Sequence, residues 1–370
     1  MRGDVRVERL KKIIVLVSFA LIIFGLAIAN VITADGTVSK TERRLLEQAP
    51  KFSVESIFSG QYTQELEKYL LDQFPARDTF RSMKALTSLN LLRLSDNNGL
   101  YEHEGYIYRL EYPLNEKQVL IGAMKIESII AAFPKMGNAY FSIIPDKNYF
   151  SPVRDNHPAM DYDRMVALML ENVQSAEYID IFDTLCLAAY YKTDTHWRQE
   201  ELSAVVERLG QGMGVPTDAF TKYKTENAGS FAGILAGQLA VSLTGESMYY
   251  LTSTATENAV ASSIETDGEI EIYSMEKFAG MEPYDLYLHG AQAIITIEND
   301  NAKTDRELVI FRDSFGSSLT PLLVASYSKI TIVDLRYVSS QILGEYVDFT
   351  DADVLFIYST MLLNAAGLLK

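Results

Sequence analysis

The longest apolar run lies near the N-terminus. Ile13 to Ile32 reads IIVLVSFALIIFGLAIANVI, with only Ser18 and Asn30 polar. Twenty helical residues rise about 30 Å, the depth of a bilayer's hydrocarbon core. No polar face interrupts the run, which argues against a core helix of a soluble domain. Arg2, Arg6, Arg9, Lys11 and Lys12 precede it and Asp35 follows. That asymmetry predicts residues 1–12 as a cytoplasmic basic tail, 13–32 as a transmembrane signal-anchor, and the rest of the chain outside. A cleaved signal peptide is the alternative, because Ala27-Ile28-Ala29 resembles a small-residue cleavage site; the length of the run favours the anchor.

Residues 33–94 read as a tether and helical region. The stretch 35–60 is polar with scattered apolar positions. Beyond it, Tyr62, Leu66, Tyr69 and Leu70 form a helical stripe, Phe74-Pro75 interrupts, and a second helix is expected from Asp78 to Leu94. Residues 95–370 form the main domain. Leu100 to Leu110 reads as a hairpin around Gly105, Glu116–Phe133 and Tyr162–Val173 as helices, and Ala139–Ile144 as a strand stopped by Pro145. Tyr178–Phe182 is strand-like, and Arg198–Leu209 is helical, ended by Gly210, Gly212 and Gly214. Residues 220–290 are rich in Thr, Ser, Gly and Ala, with short β-like pieces such as Glu269–Tyr273, and predict an inserted β-rich region. Leu308–Phe311, Ile330–Val333 and Val354–Tyr358 are buried-type strands. Helical pieces separate them at Ser317–Tyr327 and Gln341–Tyr346. This alternation implies an α/β fold with a parallel sheet and right-handed crossovers.

Composition narrows the function classes. The 370 residues are 48% hydrophobic and 22% charged, ordinary globular values. The net charge of −16 disfavours nucleic acid, whose phosphates need clustered Lys and Arg. Cys186 is the sole cysteine. It rules out an intramolecular disulfide and a cysteine zinc site, and its apolar surroundings predict a buried thiol. His103, His157 and His289 stand at no metal-ligand spacing, and there is no dinucleotide fingerprint or P-loop. No metal and no cofactor are expected.

Two short constellations carry chemistry. Tyr190 to Trp197 holds the only tryptophan and one of four histidines. Asp194 and His196 are two apart, so in an extended segment their side chains point the same way. A carboxylate there holds an imidazole in one tautomer and stabilises its protonated form. Trp197 would wall the site or stack on a sugar ring. The plain alternative is a satisfied loop histidine beside a helix cap, the commoner fate of an isolated Asp-x-His. The second constellation, Phe311 to Ser317, follows a strand and opens a helix. There Ser314 would be exposed at the carboxyl edge of the sheet, with its own amide and the next ones as oxyanion donors. Its plain alternative is that Asp313 or Ser314 caps the helix. The two complement one another, since serine is a poor nucleophile without a base.

With Thr193-Asp194-Thr195-His196-Trp197 and Asp313-Ser314-Phe315-Gly316, the chain resembles the DHHW family of bacterial exported proteins. It is also similar to the alginate O-acetylation proteins of SGNH-hydrolase-like fold. Asp72-Gln73-Phe74-Pro75-Ala76-Arg77, Asn98 to Gly105-Tyr106, Ile144-Pro145-Asp146-Lys147 and Asp334-Leu335-Arg336-Tyr337 extend the likeness from about residue 65 to the C-terminus. The family name suggests a second histidine where this chain has Thr195. The resemblance implies an SGNH-like three-layer α/β/α domain, with Ser314 as nucleophile, His196 as general base and Asp194 as its orienter. Asn364 is a candidate oxyanion donor, with a surface role as its plain alternative. Arg336 and Tyr337 are candidate substrate contacts at a strand end, with structural pairing as theirs.

The function so implied is acetyl transfer to hydroxyls of a cell-surface or secreted polysaccharide, with a membrane-bound O-acyltransferase as acyl donor. The same triad with water as acceptor would make a carbohydrate esterase. An anchored glycan-binding or scaffold protein without catalysis would not need Ser314. The expected place is the cell membrane, single-pass, with the main domain extracytoplasmic.

Overall fold

The computed structural model describes residues 2–218, 220–241, 245–266 and 268–370. Met1 and the side chains of Arg2 and Arg6, in the expected basic tail, lie outside the described residues, as do 219, 242–244 and 267 near and within the expected insertion. The chain divides into two units, Met1–Leu94 and Ser95–Lys370.

The first unit opens with helix α1 (Arg2–Ile32). Its Val7–Ile32 portion contains an 18-residue window with a mean hydropathy of 2.7 and is long and apolar enough to cross a membrane. A two-stranded ribbon follows, β1 (Val38–Ser39) with β2 (Arg44–Leu45), then α2 (Val54–Phe58), α3 (Gln61–Asp72) and α4 (Arg77–Leu86). The polar stretch after α1 is more than a loose tether. Asp72 takes both terminal nitrogens of Arg44, at 2.7 and 2.5 Å, and the Glu47 amide at 2.9 Å. Hydrogen bonding to Arg44 holds the Asp72 carboxyl below the usual carboxylate range. Gln73 accepts from the Gly36 amide and donates to the Gly36 and Glu47 carbonyls, each at 2.9 Å. The Asp72-Gln73 pair of the sequence motif thus folds residues 36–47 onto the end of α3.

In the second unit a small hairpin, β3 (Leu100–His103) with β4 (Tyr106–Arg109), precedes α5 (Glu116–Ala132), strand β5 (Ala139–Ile144), α6 (Tyr162–Asn172), the short strand β6 (Glu177–Tyr178) and α7 (Ser203–Met213). Next come the ribbon β7 (Lys224–Phe231) and β8 (Glu246–Thr252), with α8 (Ile234–Leu239) between them, and then α9 (Thr254–Asn258). Strands β9 (Val260–Ser263) and β10 (Glu269–Ile270), helix α10 (Met275–Phe278) and strands β11 (Ile294–Glu298) and β12 (Glu307–Arg312) follow. The chain ends with α11 (Ser314–Leu319), β13 (Lys329–Val333), β14 (Asp353–Ser359) and α12 (Thr360–Leu363).

Eight strands form one mixed sheet in the order β10-β9-β11-β13-β12-β14-β5-β6. The stretch from β13 to β6 is parallel, and β11, β9 and β10 extend it with antiparallel pairings. Parallel strands are covered on both faces, and here consecutive residues divide between two apolar clusters. Leu308 and Ile310 of β12 join one cluster with α7 and α11, whereas Val309 and Phe311 join the other with α5 and α6.

Three expectations change. Residues 260–263 and 269–270 belong to the main sheet, so the part of 220–290 that stands apart is the β7–β8 ribbon and its helices. Helix α7 runs through Gly210 and Gly212 and ends only at Gly214, in the left-handed conformation that a glycine adopts without steric cost. Cys186 is exposed. The strand expected over Tyr178–Phe182 ends at Tyr178, and the short 3₁₀ turns that follow leave the thiol outside.

Candidate active site

The segment Ala189–Arg198 is a tight hairpin. Tyr190 pairs with Trp197, the Tyr191 amide donates to the His196 carbonyl at 3.1 Å, and the Arg198 amide to the Ala189 carbonyl at 2.8 Å. Asp194 sits in the bend and forms an Asx turn: its Oδ1 accepts the His196 amide at 3.2 Å. The same Oδ1 lies 2.7 Å from His196 Nδ1. Asp194 and His196 therefore meet through a turn, not through the alternation of an extended strand. The other carboxylate oxygen accepts the Ile234 amide at 3.0 Å, and Asp194 is fully buried. Such a carboxylate orients the ring and favours a proton on Nδ1, leaving Nε2 as the basic face.

That face meets Ser314. His196 Nε2 lies 2.8 Å from Ser314 Oγ, across 118 residues of sequence. Ser314 is the first residue of α11, directly beyond β12, where the buried strand ends and Asp313 caps the helix. Asp313 fulfils its plain role: Oδ1 accepts the Phe315 amide at 3.1 Å, and Oδ2 the Ser359 amide at 2.8 Å. The Gly316 amide donates to the Asp313 carbonyl at 3.0 Å. Of the amides expected as oxyanion donors, those of Phe315 and Gly316 are thus occupied, and the Ser314 amide, first in the helix, remains.

The hairpin is gripped from two sides by residues that the sequence did not single out as functional. The buried Lys147 ammonium donates to the carbonyls of Tyr191 at 2.9 Å, Lys192 at 3.1 Å and Asp194 at 2.7 Å. Burial lowers its pKa to about 7, against the pull of Asp194, Glu246 and Asp146. Glu246, on β8, accepts from the other polarity of the same loop: the Lys192 amide at 2.8 Å, the Thr193 amide at 2.7 Å and the Thr193 hydroxyl at 2.5 Å. Gly233 presses on the hairpin from outside. A Cβ there would come within 2.2 Å of the Thr193 carbonyl atoms.

Aromatic rings enclose the imidazole. Tyr284 stacks on His196 with centroids 3.8 Å apart and planes 10° from parallel, and Phe315 lies at 4.9 Å. The Tyr284 hydroxyl meets Ser318 Oγ at 2.7 Å. The Trp197 indole N–H donates to Ser318 Oγ at 2.9 Å and to the Phe315 carbonyl at 3.0 Å. Trp197 is fully buried, so the expected stacking on a sugar ring is excluded. Its indole instead pins the hairpin to α11, because a buried N–H must find an acceptor.

The remaining candidates lie elsewhere. Arg336 is held by Asp334 through Nε at 2.9 Å and Nη2 at 2.6 Å, and Asp334 also takes the buried Arg312 at 3.2 Å. The structural pairing of Arg336 is therefore realised. Tyr337 is 48% exposed and lies under the Arg336 guanidinium. Asn364 accepts the Asn115 amide at 2.6 Å and donates to the Pro113 carbonyl at 3.1 Å. It ties the start of α5 to the C-terminal segment, a structural role in keeping with its plain alternative. Among the described residues, no group of three His, Cys, Asp or Glu side chains is arranged to hold a metal ion.

No protein-family model matches the sequence, and no curated protein matches it. Solved structures do. A DHHW family protein from Eubacterium siraeum aligns over 74% of this chain and 95% of its own, with a TM-score of 0.58 and 18% identity. PatB1 from Bacillus cereus aligns over 72% of this chain and 97% of its own, with a TM-score of 0.58 and 18% identity, and its form carrying a sulfonyl adduct aligns with a TM-score of 0.55. The O-acetyltransferase domain of AlgJ from Pseudomonas putida aligns more loosely, with a TM-score of 0.41, 10% identity, and coverage of 72% of this chain and 92% of its own. The first two establish a shared fold. The structural neighbours thus include a DHHW family protein, of the family whose motifs this sequence resembles.

Proposed function

We propose that the second unit is an SGNH-like α/β/α acyltransferase domain, anchored by α1 and facing the outside of the cell, that acetylates hydroxyls of a polysaccharide. The observation that carries this reading is the relay from Asp194 through His196 to Ser314, with contacts of 2.7 and 2.8 Å. Ser314 Oγ attacks the acyl carbonyl and passes its proton to His196 Nε2. The Ser314 amide donates to the developing oxyanion. Collapse expels the donor's leaving group, which takes the proton from His196, and an acyl ester remains on Ser314. A glycan hydroxyl then gives its proton to His196 and attacks the ester, and Ser314 leaves with that proton.

The acyl donor in this scheme is a membrane-bound O-acyltransferase or its product. The rings of Tyr284 and Phe315 around the imidazole favour transfer over hydrolysis, because they shield the base from water.

The test treats the full-length chain in detergent micelles with phenylmethanesulfonyl fluoride and reads the intact mass. One adduct on wild type, mapped to Ser314, and none on Ser314→Ala or His196→Ala is the expected result. A folded wild type that stays unlabelled at Ser314 overturns the triad.

A further inference from the structure

Beside the triad hairpin, Thr195 forms one wall of a narrow cleft that opens to solvent. Leu235 and Met361 form apolar walls, and its polar lining comes from Arg109, Glu111 and the Asp146-Lys147-Asn148 turn. Two of these polar groups are already saturated. Asp146 accepts from Tyr162, Thr360 and the Asn148 amide. Lys147 spends its ammonium on three carbonyls.

The others are not saturated. Asn148 is 1% exposed. Its Oδ1 accepts the Tyr101 hydroxyl, while its Nδ2 has no hydrogen-bond partner among the described residues. The Tyr162 hydroxyl is near enough to interact weakly with Asn148, but its hydrogen bonds at 3.1 and 2.9 Å go to the Asp146 carboxylate. Arg109 donates from Nη2 to Gln238, and its buried Nε is likewise without a hydrogen bond. Glu111 approaches that Nε at 4.0 Å, its nearest ionic partner among the described residues. Buried polar groups left in this way are costly and call for a missing partner.

The two kinds of vacancy are complementary. Nδ2 and Nε offer hydrogens to an incoming group, and the Glu111 carboxylate offers acceptor oxygens. A hydroxyl satisfies both at once, because it donates one hydrogen and accepts others. A carboxylate would accept from Asn148 but face Glu111 as a like charge. The chain as a whole also repels anions, with 49 acidic against 33 basic residues. The enclosed part of the pocket takes only about one water-sized group, so the hydroxyl must project from its ring on an arm.

We propose that Asn148, Arg109 and Glu111 form a subsite for the hydroxymethyl group of a neutral sugar, which orients the acceptor beside His196. This rests on the acyl-transfer reading for its place in catalysis, and its test is arranged to be independent of that reading. Binding is measured on full-length Ser314→Ala in micelles by ligand-observed NMR, so the outcome does not depend on a reactive serine. The probes are methyl glucoside, methyl xyloside, which lacks the hydroxymethyl arm, and methyl glucuronide, which carries a carboxylate in its place.

The glucoside is expected to bind, with the xyloside and the glucuronide each weaker by about tenfold or more. Adding Glu111→Leu is expected to weaken the glucoside to the level of the xyloside while the far-UV circular dichroism is unchanged. Equal binding of the three sugars, absence of binding by all of them, or full glucoside affinity in the Glu111→Leu protein overturns the subsite. Sulfonyl labelling of wild type decides the triad separately.

Discussion

The hairpin that carries Asp194 and His196 and the pocket beside it share Thr195 but are built on opposite terms. In the hairpin, carbonyls meet the Lys147 ammonium, amides meet Glu246, and both Asp194 oxygens are bonded. In the pocket, Asn148 and Arg109 keep bare donors near a carboxylate that accepts none of them. The first pattern fixes groups that must not move when a proton is transferred. The second leaves groups that, in the proposed subsite, are paired only by the substrate. A saturated network contributes stability, and an unsaturated one costs some.

The comparison breaks most visibly at Lys147. Lys147→Met removes the donor from three carbonyls, and a loss of about 3 kcal/mol is expected. Urea unfolding followed by the fluorescence of the single, buried Trp197 measures it. The sign of its pH dependence follows from the depressed pKa of about 7. Between that value and the ordinary lysine range the unfolded chain binds the extra proton, so the wild type gains stability as pH rises, by up to about 1.4 kcal/mol per unit. The cost of Lys147→Met should therefore grow from pH 7 to pH 10; a cost that shrinks over that range would contradict the lowered pKa.

Gly233→Ala tests the grip from outside. The added methyl meets backbone, which cannot rotate away, and a loss of about 2 kcal/mol is expected with slower sulfonylation of Ser314. An unchanged labelling rate would mean that the hairpin does not need this close approach.

Glu111→Leu gives the smallest effect and the opposite sign. Burial raises the pKa of its carboxyl, and replacing a largely buried acid that meets Arg109 only at 4.0 Å by an apolar group should leave stability unchanged or raise it by up to about 1 kcal/mol. A loss of more than about 1 kcal/mol would move Glu111 from the recognising groups to the supporting ones.

The sequence made the reacting side chains legible and left their supports obscure, for a physical reason. Asp194, His196 and Ser314 belong to short patterns in which residue type and spacing imply chemistry. Lys147 stood inside Ile144-Pro145-Asp146-Lys147, but its partners are backbone carbonyls 44 to 47 residues away, which every residue possesses. Glu246, Gly233 and Tyr284 lie in the Thr- and Ser-rich region, where no periodicity marks a role. The central strands were readable because burial on both faces makes them continuous apolar runs. Strands β9 and β10 read as part of the insertion because Val260-Ala261-Ser262-Ser263 and the two-residue edge strand Glu269–Ile270 carry little apolar signal, and the apolar interior strand β11 lies just beyond that region. Trp197 misled in another way. Its rarity suggested contact with substrate, whereas its side chain turns into the core.

The wide spacing of the triad also bears on when the protein becomes reactive. Asp194 is held by an amide 40 residues further on, and His196 reaches a serine 118 residues away. Such contacts close large loops and form late in folding. Under the proposed mechanism a half-folded chain carries an inert serine, and nucleophilicity at Ser314 appears only once the hairpin, the Ile234 segment and α11 have met.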